Sequence, residues 1–86
     1  MFRGMEDGTN RNELARMGAT IQALREAYGW RSVNLARELG ISHPYLSNIE
    51  AGRRRCTPDL ARKIADTLGV PLAAITTDYS VTEIGA

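Results

Sequence analysis

Between positions 43 and 48 the chain places His43, Tyr45, Ser47 and Asn48, and the run Arg53-Arg54-Arg55 follows closely. These side chains suit hydrogen bonding to nucleic acid better than the making of covalent bonds. A carboxamide such as Asn48 can bond adenine N6 and N7 together, a contact worth roughly 1–3 kcal/mol of discrimination between bases. His43 can donate to guanine or to a phosphate. Tyr45 can bond a phosphate or cover a thymine methyl, or it can pack against the preceding helix; both readings stay open. Ser47 can bond either base type or the backbone and so specifies little. Pro44 and Ala51 offer only apolar contact. The three arginines are expected at phosphates or in a minor groove. The plainer reading of that run is a solvated loop.

Other chemistry has little to stand on. There is no nucleophile–base–acid set and no phosphate loop, and the single histidine has no evident acid partner. One histidine and one cysteine, Cys56, cannot build an ordinary structural zinc site, and one cysteine cannot form an internal disulfide. No catalytic activity, metal or cofactor is expected, and the lone thiol fits a reducing cytosol. No apolar run approaches the ~18 residues of a membrane span, and the N-terminus lacks the apolar core of a signal peptide. The expected location is cytoplasmic.

Eighty-six residues make one domain with a small core. The net charge of +1 is uninformative, but its distribution is not. Residues 31–63 hold seven basic and three acidic side chains, a local +4, whereas residues 64–86 hold three acidic and no basic ones. Phosphates respond to the local field.

The segment that must position these groups runs from Leu35 to Gly52. It reads as two short helices broken at Gly40. Ser42 is placed to cap the second, with Pro44 in its first turn, where a missing N–H costs little. Ile41 and Leu46 have the spacing of a hydrophobic staple. Two helices around a short glycine-containing turn make a helix-turn-helix. At about 100° per residue, Leu46 and Ile49 define the buried side of the second helix. Pro44, Ser47, Asn48 and Ala51 then face outward, flanked by His43 and Tyr45.

The rest of the chain supplies a scaffold. Residues 1–10 read as a flexible tail, with Asn10 or Asn12 as a cap for the first helix. Leu14, Met17, Ile21 and Leu24 form its apolar stripe, extended by Tyr28, and Gly18 within it is suited to close approach by a neighbour. Trp30 is expected as a core plug. Arg31 and Ser32 begin the second helix, with Val33, Ala36 and Leu39 inward. Ser32 and the free N–H groups there can hold a phosphate, assisted by Arg31. Thr57-Pro58-Asp59 is a helix start, and Leu60, Ala61, Ile64, Ala65 and Leu68 give the buried face that follows. A short fifth helix runs from Val70-Pro71 to about Ile75. Residues 11–76 thus form the domain. Residues 77–86 read as a tail, either a short strand or disordered, and a candidate for dimerisation or partner binding.

Taken together, Gly29-Trp30-Arg31-Ser32, Leu35-Ala36, Leu39-Gly40-Ile41-Ser42, Tyr45-Leu46-Ser47, Ile49-Glu50, Gly52-Arg53, Ile64-Ala65 and Leu68-Gly69-Val70 resemble the Xre/Cro/C1 family of bacterial and phage regulators. The resemblance spans roughly Gly18 to Ile75. It implies an all-α, compact five-helix bundle of the lambda-repressor-like type, with the third helix entering the major groove of double-stranded DNA. It implies transcriptional regulation, often repression by a homodimer on a palindromic operator. Ser42 joins Arg31 and Ser32 among the candidate phosphate contacts. The resemblance also implies a structural ion pair between Arg25 of the first helix and Glu50. The chain departs from the family pattern at Ser32, often glutamine; at Cys56, usually proline; and at Trp30, where another hydrophobic residue is usual.

Two readings of the function follow. One short helix reads few base pairs, so two copies about one DNA turn apart, ~34–36 Å, would be needed for selectivity. That gives a dimeric repressor. The alternative is an antitoxin-like module that binds DNA and a partner protein such as a toxin, with the tail as its handle.

Overall fold

A computed structural model describes the backbone of residues 2–76 and the side chains of residues 12–76. The described chain is all helical: α1 (Phe2–Ala27), α2 (Ser32–Leu39), α3 (His43–Glu50), α4 (Pro58–Leu68) and α5 (Leu72–Ile75). The readings of residues 77–86 lie outside the described residues.

Local sequence accounts for most boundaries. Ser42 caps α3, its Oγ accepting the Tyr45 N–H at 3.1 Å. Thr57 caps α4 in the same way, accepting from the Leu60 N–H at 3.2 Å. Gly40 closes α2 in the left-handed conformation at φ 75°. From α4, the Lys63 ammonium donates to the Leu39 carbonyl at 3.2 Å and satisfies part of the α2 C-terminus.

Two sequence expectations fail at α1. The helix begins at Phe2, not at Asn10 or Asn12, so the tail expected over residues 1–10 is helical from Phe2 onward. Once later turns exist, each added residue extends the helix without a new nucleation cost, and no proline interrupts residues 2–10. At the other end, Tyr28 lies beyond the helix and is exposed. Val33 is exposed as well. The inward arc of α2 is Leu35, Ala36 and Leu39, and Val33 sits about 200° from Leu35 around the helix.

The core joins all five helices. Ile21, Leu35, Leu39, Leu46, Ile49 and Ile64 are its largest fully buried side chains, each contributing about 1.5–3 kcal/mol by leaving water. Trp30 is half-buried against this core, as are Met17, Leu24, Ile41 and Tyr45. Cys56 is buried, and desolvation raises its thiol pKa from 9.0 to about 11. Two glycines let α1 lie close to α3 and its following turn. A Cβ at Gly18 would collide with the Ile49 carbonyl oxygen and lie 2.7 Å from that of Glu50. At Gly52, with φ +80°, a Cβ would come 2.9 Å from the Ala15 Cα.

Candidate nucleic-acid interface

The outward face of α3 follows from what its inward face must bury. Leu46 and Ile49 are fixed in the core, which leaves His43, Pro44 and Ala51 exposed and Tyr45, Ser47 and Asn48 half-exposed. The structure therefore brings the sequence-selected residues of this helix onto one connected surface. Their environments differ from simple solvation.

His43 is the first residue of α3, and its Nε2 lies 2.8 Å from Ser32 Oγ. The first residues of α2 and α3 are thus joined side chain to side chain. Arg31 occupies the N-cap position of α2 in an extended conformation, with no side-chain cap to its N–H groups. Ser42 is committed to capping α3, so one lone pair of its oxygen is engaged, and its hydroxyl proton and second lone pair are what it can still offer.

Beyond α3, Arg53, Arg54 and Arg55 are exposed. Arg53 Nη1 donates to Asn48 Oδ1 at 3.0 Å. The Arg54 guanidinium stands 5.5 Å from the centre of the Tyr45 ring, a cation–π distance. Of the two readings open for Tyr45, packing is what the fold shows: its ring lies against the core, and its face also meets the Arg54 guanidinium. The sequence carries both partners of the Asn48–Arg53 and Ser32–His43 contacts, but no periodicity announces either, because each crosses a helix end.

Arg25 and Glu50 form a buried fork. Arg25 Nε and Nη2 reach the two Glu50 carboxylate oxygens at 2.7 and 3.1 Å. Its remaining Nη1 donates to the Trp30 carbonyl at 2.8 Å. The guanidinium therefore ties α1, the α1–α2 turn and α3 together, in the bidentate geometry that makes arginine–carboxylate pairs strong. The pair also closes the floor of a shallow cleft lined by Gln22, Ser32, Ser47 and Ala51. No motif or periodicity in the sequence marks Gln22. It follows Ile21 on α1 and only the assembled fold brings it beside Ser32 and Ser47.

Among the described residues no cluster of histidine, cysteine, aspartate or glutamate could hold a metal ion. No described helix is long and apolar enough to cross a membrane.

A family model described as a helix-turn-helix domain matches residues 16–76. Uncharacterized HTH-type transcriptional regulators of Mycobacterium bovis and Mycobacterium tuberculosis are 39% identical over 54 residues, covering 63% of this chain. The chain spans only about a fifth of those relatives, 21% of their length. The fold is similar to the restriction-modification controller protein C.AhdI of Aeromonas hydrophila, with TM-score 0.71 and 25% identity over 74% of this chain and 97% of that one. It is also similar to the clp gene regulator ClgR of C. glutamicum, with TM-score 0.73 and 24% identity over 81% of this chain and 91% of that one.

Proposed function

Since this chain belongs to the Xre/Cro/C1-type helix-turn-helix family of transcriptional regulators, we propose that it binds a palindromic operator in double-stranded DNA as a homodimer, with α3 in the major groove, and acts as a repressor. The observation that carries this reading is the face of α3. His43, Pro44, Tyr45, Ser47 and Asn48 present small, polar and nearly uncharged chemistry, which fits base edges. The flanking Arg53, Arg54 and Arg55, with Arg31 and Ser32 at the start of α2, supply the donors that fit phosphates. Glu50 would repel DNA if it faced outward, and it is instead neutralised by Arg25.

Homodimerisation follows from the reach of one eight-residue helix, which contacts too few base pairs to select one site in a genome. Selection from random DNA duplexes by the purified protein, at near-physiological salt, tests the whole reading. The expected product is an inverted repeat with half-sites about one turn apart, bound by two protomers. Folded protein that selects no motif would overturn sequence-specific binding by the chain alone, and the antitoxin-like reading with a protein partner would replace it.

A further inference from the structure

We infer that Arg53 is a positioning residue for base reading: it fixes the orientation of the Asn48 carboxamide and ties the basic loop to the recognition helix at that residue. The inference rests on the reading of α3 as the major-groove helix. Three bonds converge on Asn48. Its side-chain oxygen accepts Arg53 Nη1 at 3.0 Å. Its backbone carbonyl accepts the Arg53 N–H at 2.8 Å and the Arg54 N–H at 3.2 Å.

The chemistry of the partners sets the direction of the amide. A guanidinium has donors and no acceptor, so only the oxygen of Asn48 can face Arg53. The Nδ2 group is then turned away from the arginine with both protons free. A primary amide held in this way presents donors to acceptors such as purine N7 or guanine O6. The second lone pair of Oδ1 still allows the paired contact to adenine N6 and N7. Cytosine offers only its N4 donor in the major groove and no acceptor for the outward Nδ2 protons, so this orientation disfavours it relative to adenine and guanine. Without Arg53 the exposed amide can turn over, and the oxygen-outward orientation admits cytosine.

Arg53 retains further N–H donors for a phosphate. One side chain can therefore hold the DNA backbone and the base reader together, so a shift of the phosphate grip is felt at the base. This predicts that Arg53 affects discrimination at a single operator position, which an arginine holding only a phosphate does not.

The test uses the full chain and the duplex recovered by selection, with the base pair assigned to Asn48 varied. Asn48→Ala should cut the preference at that pair by roughly 5- to 150-fold. Arg53→Ala should lower the preference at the same pair by at least about threefold, with cytosine gaining most, and the double variant should lose no more than Asn48→Ala alone. Arg53→Met, which keeps the apolar stem, should behave as Arg53→Ala and guards against loss of the loop. Equal weakening for every base at that pair, or additive losses in the double variant, would overturn the inference and leave Arg53 a phosphate contact.

A second readout needs no DNA. In the free protein, the Asn48 side-chain amide resonances should move in Arg53→Ala and Arg53→Met while those of other asparagines stay in place. Unmoved Asn48 resonances would overturn the inference even where the operator reading holds. A missing operator with shifted resonances would overturn the DNA reading alone.

Discussion

At the scale of single residues, the proposed interface separates side chains by what they could recognise. Arg54 stands over the Tyr45 ring, and in the proposed interface it would hold a phosphate and carry no sequence information. Arg54→Ala should weaken binding to every duplex alike and reduce the salt slope by about one unit, read from binding isotherms at several salt concentrations. An unchanged slope would place Arg54 off the DNA. Cys56 shows a different kind of constraint. Its thiol pKa is raised to about 11 from 9.0 by burial. The folded state therefore holds the proton more tightly than the unfolded state. This contribution is fully present below about pH 9 and is lost as pH rises toward 11. Denaturation midpoints measured from pH 8 to 11 should fall more steeply for the wild type than for Cys56→Ala. Parallel curves would mean that the thiol is already free to ionise in the fold.

At the scale of elements, the legible parts of the sequence were those whose cause is local. The Ser42 and Thr57 caps, the Gly40 stop and the apolar face of α4 each depend on residues a few positions apart. The start of α1 depends on helix propagation, which no single residue announces. Val33 looked inward because it is apolar, yet the geometry of α2 turns it out. Of the interface, residue types on α3 could be read directly, but their ties to Arg53 and Ser32 could not, because they form only when separate segments meet. The Arg25–Glu50 pair was visible only through the family resemblance, since 25 residues separate its members.

That pair gives the element scale its energetic test. Both side chains are nearly buried, at 11% and 8% exposure. Arg25→Ala strands the Glu50 carboxylate, and the expected loss is about 3–5 kcal/mol in chemical denaturation. The double variant Arg25→Met, Glu50→Leu removes both charges and should recover much of the loss; an equally large deficit there would mean that packing, not the stranded charge, sets the cost. Gly18 tests the same contact between α1 and α3. Alanine at this site gains up to about 1 kcal/mol in helix propensity. Its Cβ would meet two backbone carbonyls, which cannot move aside as a flexible side chain can. The clash should win, with a net loss of about 1–3 kcal/mol. A stabilised Gly18→Ala protein would show that α1 can shift away from α3.

At the scale of the whole molecule, exposed charge and buried packing meet at the end of α3. Arg53, Arg54 and Arg55 after α3 and Arg31 at the start of α2 are exposed, while Leu46 and Ile49 hold the back of α3 in the core. The Asn48 carbonyl joins these two regions by accepting the amides of Arg53 and Arg54. Loop amides on an exposed surface normally exchange with solvent deuterium almost as fast as in a free chain. These two should instead exchange only when the end of α3 opens, at rates that track the amides of Ile49 and Glu50. The loop and the helix would then unfold and refold as one unit. Its arginines would carry the order of the helix although their side chains stand in water.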